Sequence, residues 1–139
     1  MKEFSILVVD DEQDVFIVTK LIASTVKVDA DTVQLHYVSS GHEACTFLSQ
    51  HNEIGLVLLD IVMETDDAGF KVIDYVRNTQ HDNQTHIVVR SGLTGTIPEQ
   101  FMHLAKGING YINKLDFTRT HLEKLVNAAI NAQGGSASY

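Results

Sequence analysis

Hydrophobic and polar positions along the chain follow two rhythms. Ser5 to Val9 (SILVV) is a short unbroken apolar run, rich in β-branched residues and ending at Asp10 and Asp11. That is the pattern of a strand buried on both faces. Val15, Val18, Ile22 and Val26 then recur at helical spacing, and predict a first helix on that stripe with an acidic opening that suits the helix dipole. Val33 to Val38 (VQLHYV) alternates as a strand, and Ser39-Ser40-Gly41 leads into a second helix marked by Ala44, Phe47, Leu48 and His51. Ile54 to Leu59 is again wholly apolar and stops at Asp60, with a third helix after Gly69 through Val72, Ile73 and Val76. Ile87 to Val89 predicts a strand ending at Arg90 and Ser91. After the loop Gly92 to Thr96, the run Thr96, Ile97, Pro98, Glu99 reads as a capping box with proline in the first turn of a fourth helix. Gly110 to Asn113 is a short strand ending at Lys114, and Leu122, Leu125, Val126, Ala129 and Ile130 mark a last amphipathic helix.

Five strands thus alternate with five helices, without internal repeats. Parallel strands need crossover connections, so this alternation implies an α/β fold with a parallel sheet covered by helices on both faces. Ligands in such sheets sit beyond the carboxyl ends of the strands, near the point where strand order switches. Residues 1–132 are expected to form one domain, and QGGSASY at 133–139 a flexible tail or the start of a linker.

Composition narrows the picture. With 139 residues, 44% hydrophobic and 20% charged, the chain suits a single folded domain. Its net charge of −8 disfavours a broad electrostatic grip on nucleic acid or anionic lipid. No apolar run is long enough to span a bilayer, no signal-peptide cleavage site follows the N-terminus, and the one cysteine, Cys45, has no internal disulfide partner. A cytoplasmic location is expected, with Cys45 a small buried hydrophobe on the second helix. The seven histidines show no metal-ligand spacing, and no Walker-type phosphate loop is present.

The chemistry lies in the residues that close the strands: Asp10 and Asp11, Asp60, Ser91 and Lys114. Singly, each has a commoner explanation: an Asp after a strand is usually a turn or cap, a Ser before Gly a turn residue, a Lys solvent-facing, and Tyr111 a core aromatic. Together, at successive strand ends, they overturn those separate readings. Converging carboxylates repel unless a cation compensates. Mg²⁺ fits such a set, because it takes a few carboxylates and keeps waters and phosphate oxygens around it. A cation, an ammonium, a hydroxyl and an ionised aspartate are the parts needed for phosphoryl transfer to Asp60 as nucleophile.

The stretches ILVVDDE (6–12), LVLLDIVM (56–63), VVRSG (88–92) and GYINK (110–114) resemble the receiver domain of two-component response regulators, over roughly Ser5 to Ala132. The resemblance implies a flavodoxin-like (βα)5 fold, a doubly wound five-stranded parallel sheet of order 2-1-3-4-5. It implies Asp60 as phosphoacceptor, Asp10 and Asp11 as the acidic pair for Mg²⁺ with Asp60 and the backbone carbonyl of Val62, and Ser91 as the switch hydroxyl. Lys114 would pair with the phosphoryl group, and Tyr111 would be the aromatic that turns inward. The implied partners are a sensor histidine kinase or histidine phosphotransfer protein and a downstream effector domain or protein, with phosphorylation-dependent homodimers a further expectation and neither nucleic acid nor membrane bound directly. Such a domain catalyses only its own phosphotransfer and dephosphorylation; apolar Val62 and Leu93 are expected to slow the latter by restricting the hydrolytic water.

Departures from the family pattern are Glu64 where proline is common, a longer TDDAG loop, and Leu115 in place of a proline after Lys114. VMETDDAGF and RSGLTGTIPE also resemble a receiver subtype that heads longer regulators with cyclic-dinucleotide output modules. Two other classes remain open: a dehalogenase-type hydrolase, which normally carries a second Asp where Val62 stands, and a receiver-like docking module that is never phosphorylated.

Overall fold

The computed structural model describes residues 3–28, 30, 32–92 and 97–134, of which 133 and 134 are described as backbone only. Five parallel strands, β1 (Glu3–Val9), β2 (Thr32–Val38), β3 (Ile54–Leu59), β4 (His86–Ser91) and β5 (Gly110–Asn113), form one sheet in the order β2-β1-β3-β4-β5. The α-helices are α1 (Gln13–Ala23), α2 (Gly41–Gln50), α3 (Ala68–Asp74) and α4 (Arg119–Gly134). A π-helical turn, Tyr75–Thr79, extends α3. The expected flavodoxin-like order 2-1-3-4-5 is therefore the observed one.

Alternation along the apolar strands divides the core into two layers. Leu7, Val9, Val57, Leu59, Ile87 and Val89 face Ala44, Leu48, Phe70, Ile73 and Leu104 on one side. Ile6, Val8, Leu56, Leu58 and Val88 face Leu122, Val126 and Ala129 of α4 on the other, with Phe16 and Ile22 of α1 packed against them. Each fully buried Leu, Ile or Val contributes about 1.5–3 kcal/mol relative to exposure. The three middle strands β1, β3 and β4 are thereby fixed, and their carboxyl ends come to one place.

Two helices differ from expectation. The fourth is a 3-10 helix, Glu99–Gly107, and Pro98 precedes it as N-cap without a side-chain cap, rather than standing inside the first turn. Thr96 and Leu93 lie outside the described residues. The hold on this helix comes from buried Leu104 and from Phe101 stacked on Phe70 at 4.5 Å. In α1 the expected stripe is displaced: Val18 is 53% exposed, Thr19 is buried, and the helix ends at Ala23 before reaching Val26. The inward face of α1 is set by Phe16, Thr19 and Ile22, because a polar group beneath it needs the Thr19 hydroxyl.

Gly69 opens α3 against the strand end that carries Asp60. A Cβ there would stand 2.5 Å from the Asp60 carbonyl oxygen and 2.6 Å from the Ile61 Cα, and both are backbone atoms that cannot swing aside. The close approach lets the Gly69 N–H donate to the Ile61 carbonyl at 2.9 Å. Gly69→Ala is expected to destabilise the fold by about 2 kcal/mol, within the usual range for overpacking, read as a lowered urea midpoint.

Candidate phosphoacceptor site

Asp10 and Asp60 end β1 and β3, which are hydrogen-bonded neighbours: the Asp60 N–H donates to the Val9 carbonyl at 2.9 Å. Both side chains are buried, at 1% and 5% exposure. Lys114, directly after β5, reaches across and joins them. Its Nζ lies 3.1 Å from Asp60 Oδ2, 2.7 Å from Glu12 Oε1 and 3.3 Å from Asp10 Oδ1. Asp10 Oδ2 is 3.1 Å from the same nitrogen as an ion pair and has no hydrogen bond among the described residues. The lysine is held in place by Asn113, whose side chain accepts the Leu115 N–H at 2.9 Å and closes the 3-10 turn Lys114–Asp116. Asn113 thus shapes the turn in a sequence without the usual proline. Leu115 itself is 91% exposed, and among the described residues no peptide bond is cis.

The charges in the site feel each other strongly. Burial pushes the Asp60 pKa up, aided by the negative charge of Asp10, and the Lys114 hydrogen bond and the Ile61 N–H offset this only in part. For Lys114, burial works against the charged form, but the hydrogen bonds to Glu12, Asp10 and Asp60 outweigh it and hold the ammonium above its ordinary value. Glu12 is held low by Lys114. Asp10 is tied at two further points: Oδ1 accepts the Glu12 N–H at 2.8 Å, and its carbonyl accepts the Tyr37 hydroxyl at 2.7 Å.

Carboxylate oxygens of Asp10, Asp11 and Glu12 lie within 4.8 Å of one another. A hard, all-oxygen donor set with the buried Asp10 Oδ2 lacking a hydrogen bond fits a divalent cation such as Mg²⁺. Of the residues singled out from sequence, the fold brings Asp10, Asp60 and Lys114 into direct contact and puts Asp11 at the exposed rim. Ser91 is buried at the end of β4. Val62 is half-buried against the α2–α3 layer, and Tyr111 points outward from β5, 58% exposed. Cys45 is half-buried, with its thiol pKa raised by burial.

Three contributors escaped the sequence reading. Glu12 binds Lys114, and its signal was the third acid of the VVDDE run. Glu64 holds the N-terminus of α2: Oε1 accepts the Gly41 N–H at 2.8 Å and Oε2 the His42 N–H at 2.9 Å. Proline at that position could offer no such acceptor, so the departure at Glu64 fastens the loop after Asp60 to a neighbouring helix. The third is Arg90, 2% exposed, whose Nη1 donates to Thr19 Oγ1 at 2.7 Å. A charged residue on the same alternation as core residue Val88 was its signal.

Two outcomes follow for stability. The folded-state pKa of Asp60 is raised, so its ionised form destabilises the fold at pH above that value, and this cost vanishes below the unfolded-state value of 3.8. Asp60→Asn is expected to stabilise the protein by on the order of 1 kcal/mol at pH 7, with the gain disappearing as pH falls through the folded-state pKa. Thermal melts across pH check this; destabilisation at pH 7 would refute it. For Glu64, burial raises the pKa, but the Gly41 and His42 N–H groups together prevail and lower it. Its contribution is present above the ordinary glutamate value of 4.5 and is lost as pH falls through the lower folded-state pKa. Glu64 is exposed and partly screened by solvent, so Glu64→Gln should cost less than about 1 kcal/mol at pH 7 and nothing once the carboxyl is protonated, measured by urea titration at neutral and acidic pH.

Comparison with known proteins agrees with this geometry. The model of the response regulator receiver domain matches residues 6–127. A curated relative, the 3'3'-cGAMP-specific phosphodiesterase 2 of Vibrio cholerae serotype O1, is 31% identical over 127 residues, which are 91% of this chain but 24% of that protein. The chain therefore spans about a quarter of that relative's length. Among solved structures, a CheY-like response regulator receiver domain protein from Methanospirillum hungatei JF-1 is 25% identical with a TM-score of 0.74, covering 96% of this chain and 98% of that one. The signal receiver domain of a putative Luxo repressor protein from Vibrio parahaemolyticus is 18% identical with a TM-score of 0.75, covering 98% and 96% respectively. Asp10, Asp60, Ser91 and Lys114 all lie inside the matched span, and this chain belongs to the response regulator receiver domain family.

Proposed function

We propose that Asp60 accepts a phosphoryl group from a phosphohistidine on a sensor histidine kinase or histidine phosphotransfer protein. The P–N bond of the donor breaks as a P–O bond to the Asp60 carboxylate forms, and the donor imidazole leaves with the electron pair. The observation that carries this reading is the buried Asp60 carboxylate at a strand end with Lys114 Nζ 3.1 Å away. A phosphoryl group arriving there meets a fixed ammonium, which stabilises the charge spread over its oxygens. Asp10, Asp11, Asp60 and the Val62 carbonyl would hold Mg²⁺, whose charge would offset the carboxylates and orient the phosphoryl oxygens.

Ser91 donates its hydroxyl to a phosphoryl oxygen, and Tyr111, outward in this structure, turns in behind it. That movement repacks the face built from the 3-10 helix Glu99–Gly107, β5 and α4, which signals to an effector or to a second copy. The 3-10 helix suits such a role, since its hydrogen-bond geometry is poorer than that of an α-helix. The likeness to a cGAMP phosphodiesterase supports signalling to an output module that acts on cyclic dinucleotides.

Intact mass after incubation with acetyl phosphate, with and without Mg²⁺, tests the assignment. A Mg²⁺-dependent gain of one phosphoryl group in the wild type and none in Asp60→Asn is expected. Labelling of the variant would discard Asp60 as acceptor, and no labelling of a folded wild type by either acetyl phosphate or phosphorylated kinase would favour the docking-module reading. Val62→Asn is expected to shorten the phosphoryl lifetime several-fold, because a polar side chain there admits and orients water; an unchanged decay rate would refute it.

A further inference from the structure

Alternation along the sheet places one more charge under the site. Val8, Leu58 and Val88 lie side by side in register on the face that packs against α4. Two residues further along each strand, on the same face, come Asp10, Asp60 and Arg90, with Arg90 in register with Ile112 of β5 and Lys114 two positions beyond that. Two anions and two cations thus share one sheet face at its carboxyl edge.

Arg90 is built into this position. Its Nη1 donates to Thr19 Oγ1, which in turn donates to the Val15 carbonyl at 2.7 Å. Its guanidinium carbon stands 4.7 Å over the Phe117 ring. Its Nη2 is buried, with no hydrogen-bond partner among the described residues. Together with Asp14, Val15, Val18, Thr19, Lys114 and Phe117 it lines a cavity of about 200 Å³ between α1 and the strand ends. A guanidinium with one unmatched nitrogen is costly to bury, and neither a threonine hydroxyl nor a ring face carries a compensating charge. Of the opposite charges near it, Asp60 ends the neighbouring strand β3, Asp10 ends β1 one strand further, and Asp14 lines the same cavity.

Resting on the phosphoacceptor reading, we infer that Arg90 is a positioning residue of that site: from beneath, it balances Asp10 and Asp60 and so sets how strongly they draw a divalent cation. Lys114 does the same from above but is also committed to the incoming phosphoryl group. Arg90, enclosed by α1 and Phe117, stays where it is. Its charge makes the site less negative at rest and weakens cation binding to a reversible level.

Isothermal titration of Mg²⁺ into the unphosphorylated protein separates charge from packing. Arg90→Met removes the charge, Arg90→Gln removes it while retaining a donor for Thr19, and Thr19→Val keeps the charge but removes its anchor. Both neutral variants are expected to bind Mg²⁺ at least about threefold more tightly than wild type, and Thr19→Val within about twofold of it despite a lower melting temperature. Wild-type affinity in the neutral variants, or a shift that Thr19→Val reproduces, would overturn the inference. Should the neutral variants fail to fold, they are combined with Asp10→Asn: recovery of folding supports charge balance, and continued unfolding refutes it. If none of the proteins binds Mg²⁺, both the cation reading and this inference fail, whereas binding that ignores residue 90 removes Arg90 alone.

Discussion

Two aspartates at the ends of adjacent buried strands cannot both stay charged in a nearly closed site without cations beside them, and the rest of this structure depends on how that is arranged. Asp10 and Asp60 are brought together by the pairing of β1 with β3, which the apolar runs below them enforce. Lys114 answers from the end of β5, across β4, and makes contact with both and with Glu12. The attraction is strong enough to keep the ammonium protonated yet leaves Asp60 raised in pKa, so the site remains under electrostatic tension. In the proposed reading, a carboxylate in that condition would gain from a divalent cation and from a phosphoryl group that the same lysine would bind.

The elements around the site hold it rigidly on one side and loosely on the other. Gly69 lets α3 start against the Asp60 backbone, Glu64 ties the intervening loop to α2, and Tyr37 fixes the Asp10 carbonyl. On the β4–β5 side, the 3-10 helix has one buried residue, Tyr111 lies outside, and Leu115 projects into solvent. In the proposed reading, phosphorylation at Asp60 would act against the fixed wall and move the weaker one. Arg90 adds a charge on the α1 side that belongs to neither wall and links the strand ends to Thr19 and Phe117.

Much of this was legible from residue order. An apolar run closed by a charged residue, repeated at Asp10, Asp60, Arg90 and Lys114, locates both the strands and the edge where chemistry gathers. Alternation sorts Leu7 from Val8 and Leu58 from Leu59 into opposite core layers, because successive strand side chains must face opposite ways. The α1 stripe failed for a specific reason. Val18 fits the helical spacing but is exposed, while polar Thr19 is buried to meet a guanidinium that lies 71 positions away in the chain.

The sequence by itself determined the α/β alternation, the parallel sheet and the identity of the charged strand ends, since these follow from periodicity and from where apolar runs stop. Only the tertiary structure decided that Glu64 caps α2, that Glu12 shares Lys114, that Asn113 shapes the turn after β5, and that Arg90 is buried against Thr19 and Phe117. Each of these is a contact between side chains and groups whose distance depends on how separate elements pack. Local pattern encodes which face a residue presents, but the partner on that face is set by the packing of the whole sheet.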